Sequence, residues 1–170
     1  MQTTTNATSG PSMALTAWVT ILAPIVAVLI KAASGGWLMV YVIFWSPLWI
    51  AGYALLVVAV VRGMLRQQGV LRVGARRTRA TLWAWVTSLG VMLFAFTVID
   101  GGDTRESIQS SLTLVLGGPT SPSAAHDVSA GIAYVAVVAW LGGWLALLVE
   151  WVVGVQRRRP VEARVAPPAV

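Results

Sequence analysis

The stretch RVGARRTR, residues 72–79, runs straight into ATLWAWVTSLGVMLFAFTVI, residues 80–99, and that run stops on DGGD at residues 100–103. The middle segment carries no Asp, Glu, Lys or Arg. About 20 apolar residues, rising about 1.5 Å each as a helix, cover a hydrocarbon core of about 30 Å. A basic flank on one side and an acidic flank on the other mark the two ends of such a span. Three more runs of this kind flank it, at residues 13–30, 37–61 and 128–155. Only the last holds a charged side chain, Glu150. In lipid the backbone must satisfy itself, which leaves helices or a closed barrel. A barrel needs many short alternating strands, and these runs are continuous. The expected fold is an all-α membrane protein, a four-transmembrane-helix bundle with spans at 13–31, 37–61, 80–99 and 128–155.

Composition agrees. Hydrophobic residues make up 57% of the chain and charged residues 11%, against about 25% charged in soluble domains. There is no cysteine, which removes disulfides, thiolate metal sites and Cys nucleophiles. One histidine, His126, gives no pair for bis-His haem. No cofactor and no metal is expected.

The net charge of +6 is unevenly placed. Arg62, Arg66, Arg72, Arg76, Arg77 and Arg79 lie in the 62–79 loop, with no acid among them. Arg157, Arg158, Arg159 and Arg164 lie in the C-terminal segment. The other two loops hold Lys31 and Arg105 against Asp100, Asp103, Glu106 and Asp127. The positive-inside rule then puts both termini and the 62–79 loop in the cytoplasm. Four spans keep the termini on one side, so the two requirements agree. Lys31 alone runs against the bias. A signal-peptide reading of the first span fails on its n-region, since residues 1–12 contain no Lys or Arg. Ala32-Ala33-Ser34 is nevertheless a small-residue sequence of the kind that is cleaved. Residues 1–12 and 160–170 are expected to be disordered tails, bracketing a membrane domain at 13–159.

The outer loop 100–127 predicts a short helix at 104–116, either interfacial on the outer leaflet or packed on the tops of the spans. Asp103 and Glu106 form a capping-box pattern, Ile108, Leu112, Val115 and Leu116 share a face, and Gly117-Gly118-Pro119 ends it. Ser121-Pro122 suggests that the fourth helix begins ahead of the membrane.

Two patterns within the spans are specific. Trp37, Tyr41, Trp45, Trp49 and Tyr53 repeat every four residues in the second span, with Pro47 between the middle pair. They form a ridge that suits either an apolar ligand such as a lipid or isoprenoid, or helix packing, and packing is the commoner use. Pro47 frees the carbonyl of Ile43 and predicts a kink. In the fourth span Gly142, Ala146, Glu150 and Gly154 also repeat every four. Small residues with one polar group are the composition of a close helix contact. An ionisable group inside a span is by default a functional candidate. Glu150 nevertheless lies seven residues before Arg157, near enough to the basic cluster for a structural pair with Arg62, Arg66 or Arg79.

The six loop arginines (62, 66, 72, 76, 77 and 79) are candidate contacts for anionic lipid headgroups. No nucleic-acid motif accompanies them, so nucleic acid is not the partner this charge points to. His126 and Asp127, near the acids of the outer loop, invite a metal or pH-sensing reading, but their spacing matches no ligand pattern and a solvated acidic loop is preferred. No catalytic constellation occurs. Three functional classes follow: a non-enzymatic packing subunit of a homo-oligomer or larger membrane complex, preferred; a small channel or carrier with Glu150 at its pathway; and a lipid- or isoprenoid-binding protein using the ridge. The Arg-over-Lys, Ala/Val/Trp-rich composition is that of a high-GC bacterium and suggests the bacterial inner membrane.

Overall fold

A computed structural model describes residues 12–34, 36–101, 108–116 and 124–165. The described chain is helical: α1 Met13–Ser34, α2 Leu38–Phe44, α3 Ser46–Val60, a π-helical turn Val61–Leu65, α4 Ala75–Thr97, α5 Ser111–Val115 and α6 Ala124–Val165. No strand occurs among the described residues, only an isolated bridge between Asp100 and Gln109. Four segments are long and apolar enough to cross a membrane: Met13–Ala33, Ser46–Leu65, Ala75–Thr97 and Ala124–Arg158.

Helix α4 is the centre of the bundle. It packs along α6 on one side and α1 on the other. The α4–α6 contact is close because each helix offers a glycine to the other's backbone. A Cβ on Gly90 would stand 2.6 Å from the Trp140 amide nitrogen, and one on Gly143 would stand 2.9 Å from that of Thr87. At Gly90 the obstacle is main chain; at Gly143 it is the Thr87 hydroxyl at 2.7 Å together with main chain, and main chain cannot swing aside. The α1–α4 contact uses alanines instead: Ala23 and Ala27 face Val91 and Ala95 in one buried cluster. Small side chains at helix contacts are how membrane bundles gain packing without a hydrophobic drive between helices.

A larger cluster closes the arginine-rich end. Ala17, Leu56, Val60, Met64, Ala80, Ala84 and Leu147 are all buried there. The 66–74 loop adds to it. Leu71 is fully buried and its amide donates to the Gly63 carbonyl at 3.1 Å. The loop therefore folds back as a plug beneath the helices, with Val70 and Leu71 inward and Arg66 and Arg72 outward. The composition of this loop predicts only charge; its two buried apolar residues, Val70 and Leu71, fix its position.

The second span is broken where Pro47 predicts a kink. The break falls at Trp45, between α2 and α3, with φ −91° and ψ 15°. Pro47 stands in the first turn of α3, where a missing N–H costs nothing. α2 buries no residue, and the span joins the bundle mainly through Leu56, Ala59 and Val60.

The outer-loop helix differs from expectation. α5 covers only Ser111–Val115, and Ile108, Gln109 and Ser110 are not helical. Gln109 instead exchanges two backbone hydrogen bonds with Asp100. The N-cap is Ser110, whose hydroxyl accepts from the Thr113 amide at 3.1 Å. Asp103, Glu106 and the Gly117–Pro119 stop lie outside the described residues, as do residues 1–11 and 166–170. α6 begins at Ala124, four residues before the expected apolar start, and runs to Val165. At about 1.5 Å per residue its 42 residues extend about 63 Å, well beyond a bilayer core.

The two glycines make a direct test. Gly90→Ala and Gly143→Ala should each lower stability by about 1–3 kcal/mol, the usual range for overpacking. Gly142→Ala should leave it nearly unchanged, because a Cβ there meets nothing within 4 Å. Thermal unfolding of the purified protein in mild detergent checks the ranking.

Candidate functional site

Asp100 organises the end of the bundle opposite the arginines. It follows α4, and three elements converge on it. Its Oδ1 accepts from the Leu38 amide at 2.8 Å, so it serves the first turn of α2. Its Oδ2 stands 3.4 Å from the Lys31 Nζ at the end of α1, with both side chains about 95% buried. Its backbone bridges Gln109. Gly36 makes room for the carboxylate: it holds φ +117°, and a Cβ there would overlap Asp100. Lys31 also reaches the Val98 carbonyl at 3.5 Å. That carbonyl belongs to the unsatisfied C-terminus of α4, where a cation is favoured.

Neither Lys31 nor Asp100 stands out as a site residue in the sequence. A signal existed: Lys31 was the exception to the charge bias, and the next loop on the same side of the bundle begins with an acid. An isolated buried lysine is expensive, and a partner of opposite charge offsets part of that cost.

Hydroxyl groups complete the same end. Ser129 on α6 donates to the Thr97 carbonyl at 2.7 Å, satisfying another terminal carbonyl of α4. Its oxygen is 2.8 Å from that of Ser110, which in turn caps α5 with Thr113. All three hydroxyl residues are fully buried. Deeper in the bundle Ser88 on α4 approaches Thr20 on α1 at 3.4 Å, and each also bonds its own helix's backbone. These are local satisfactions rather than a continuous polar path.

At the arginine-rich end Glu150 is paired. Its Oε1 accepts from Arg79 Nε at 2.7 Å and its Oε2 from Nη2 at 3.3 Å, a two-point contact between α6 and α4. Arg62 and Arg66, the other partners considered, carry no ion pair among the described residues. The Arg79 side chain is about half exposed.

The two four-residue patterns do not each occupy one face. A step of four residues advances a helix by about 40°, so three steps turn it by about 120°. Gly142 lies outside, with nothing within 4 Å of a Cβ, whereas Gly154 is buried against Arg76 and Val70. The close approach expected of Gly142 falls, within one chain, to its neighbour Gly143. The aromatic ridge turns in the same way. Trp37, Tyr41 and Trp45 are about half exposed. Trp49 stacks on Trp140 at 5.8 Å, and Tyr53 donates to the Ile21 carbonyl at 3.0 Å. Trp144 adds a 3.3 Å bond to the Gly52 carbonyl. The lower ridge is thus helix packing, and the upper ridge is open surface.

Among the described residues no three His, Cys, Asp or Glu side chains converge on a point that could hold a metal. The ion pairs and hydroxyl contacts hold helices together. Comparison of the chain with protein-family models, with curated proteins and with solved structures finds no match. The four long apolar helices are consistent with an integral, multi-pass membrane protein.

The two ion pairs should differ sharply in worth. Lys31→Met leaves Asp100 buried without its cation and should cost roughly 3–5 kcal/mol. Arg79→Gln breaks an exposed pair and should cost about 1 kcal/mol or less. Equal losses in thermal or denaturant unfolding would contradict this ranking.

Proposed function

We propose that this chain is a non-enzymatic four-span membrane subunit that associates laterally with a second copy of itself or with a larger membrane complex. The supporting observation is the free face of α6. Gly131, Val135, Val138, Gly142, Leu145 and Val149 are all exposed, and a Cβ on either glycine would meet nothing within 4 Å. The same helix spends its other glycines, Gly143 and Gly154, on contacts inside the chain. A helical glycine costs up to about 1 kcal/mol relative to alanine. Gly142 repays that cost only if another helix approaches it closely, as small residues permit. The Glu150–Arg79 pair supports a structural role for the one charged residue in the fourth apolar run.

In this reading the chain lies in a bacterial inner membrane. The arginine-rich end and both termini face the cytoplasm, following the ten basic residues gathered there. The Asp100 end faces out. The exposed arginines of the 62–79 loop attract anionic headgroups through their summed charge.

Gly142→Leu should shift the protein toward monomer, or release it from co-purifying partners, while its melting temperature stays near wild type. Unchanged assembly mass in native nanodiscs would reject the α6 face. Orientation is open to single-cysteine labelling, since the chain has no native cysteine. A cysteine at the exposed Leu116 should react with an impermeant reagent from outside intact cells, and one at the exposed Gln67 should not. A proton or ion flux in liposomes that Glu150→Gln abolishes without unfolding would replace the subunit reading with the channel reading.

A further inference from the structure

An open cavity of about 470 Å³ lies at the arginine-rich end, between the folded-back loop, the start of α4 and the far part of α6. Val70, Arg76, Arg79, Gly154, Arg157 and Arg158 are among the residues that line it. Four arginines face one small space, and they come from two helices separated in the sequence. One of the four charges is neutralised, because Arg79 is held by Glu150. Arg158 is positioned by a hydrogen bond to the Gln68 carbonyl. Arg76 and Arg157 have no acidic partner among the described residues. Gly154 is what admits Arg76: a Cβ there would stand 2.9 Å from the guanidinium Nη1 and 2.9 Å from Val70 Cγ2.

The backbone adds to the positive field. α4 begins beside this cavity at Ala75, and its N-cap Gly74 supplies no side-chain acceptor. Its first turn holds no acid and carries Arg76 and Arg77. A helix N-terminus has a partial positive charge, so cations placed there are unfavourable unless an anion offsets them. The chain nevertheless gathers them around a shaped recess with an apolar wall at Val70.

We infer that this cleft is a binding site for a phosphate monoester. Guanidinium groups hold phosphate oxygens through paired, charge-assisted hydrogen bonds, and a dianion matches the three arginines that have no acidic partner among the described residues better than a monoanion. The site lies where a span meets its basic flank, so the phosphate can come from a phosphatidate-type headgroup or from a soluble phosphorylated molecule. The inference rests on the headgroup attraction of the proposed function but asks for more. Diffuse attraction depends on total charge, whereas a site depends on which arginine is changed.

The test uses the full chain in nanodiscs of phosphatidylcholine doped with equal fractions of phosphatidic acid or phosphatidylglycerol. Lipid retained on extraction is counted by native mass spectrometry, and inorganic phosphate is assayed separately by the shift in melting temperature. Phosphatidic acid should be retained over phosphatidylglycerol, and Arg157→Gln, at an exposed position, should reduce retention about tenfold, the equivalent of one charge-assisted hydrogen bond. Gly154→Val should do the same by filling the recess without changing charge. Arg62→Gln, an equal charge loss outside the cleft, should have little effect. Stabilisation by inorganic phosphate that Arg157→Gln removes, without preference for phosphatidic acid, would support the site and assign it to a soluble ligand. Equal retention of both lipids, equally weakened by Arg62→Gln and Arg157→Gln, would leave diffuse attraction standing and overturn the site. Absence of both lipid preference and phosphate stabilisation would overturn it as well.

Discussion

The bundle depends on main chain touching main chain where α4 crosses α6. Gly90 lies against the backbone at Trp140, and Gly143 against the backbone at Thr87. The two contacts are reciprocal and three residues apart on each helix, so they set both the register and the spacing of the pair. Much else follows from that spacing. Trp140 can reach Phe94 on one side and Trp49 on the other only because its own backbone is drawn against α4. Trp144, one turn on, then meets the Gly52 carbonyl and ties in the second span. A bulkier residue at either glycine would move α6 outward and pull the aromatic contacts with it.

Polar groups hold the two ends by different means. At one end a buried carboxylate, a buried amine and three buried hydroxyls satisfy the open termini of α2, α4 and α5. The Leu38 amide is met by Asp100, the Thr97 carbonyl by Ser129 and the Thr113 amide by Ser110. At the other end the charges are in excess and mostly exposed, and among the described residues only Glu150 forms an ion pair with them. The first end reads as a joint between helices, built on the Lys31–Asp100 ion pair and the Ser110–Ser129 contact. The second leaves charge uncommitted, which is the property a ligand needs.

The long apolar helices were plain in the sequence, because a long uncharged run has few other uses. Glu150 was also legible, since its height above Arg157 limited its partners, and Arg79 is one of those expected. What the pattern could not give was the face each residue occupies. A repeat of four looks like a stripe on paper but turns by about 40° at each step. Gly142 and Gly154 therefore end on different sides, and the ridge from Trp37 to Tyr53 passes from open surface to interior. The helix of the outer loop was misjudged for another reason. Asp103 and Glu106 carry the spacing of a local cap, but Gln109 is drawn into pairing with Asp100, so residues 108–110 are not helical and the turn starts at Ser110. The Lys31–Asp100 pair joins residues far apart in the chain, and no local spacing announces it.

That pair also orders events in time. Lys31 is synthesised with the first span, and Asp100 only after the third has been completed. Until α4 docks, the amine at the end of α1 has no carboxylate to meet, and the Leu38 amide lacks its acceptor. The first half of the chain therefore carries two open valences that only the second half can close. Asp100 works as a latch: its arrival ties the ends of α1 and α2 to the end of α4.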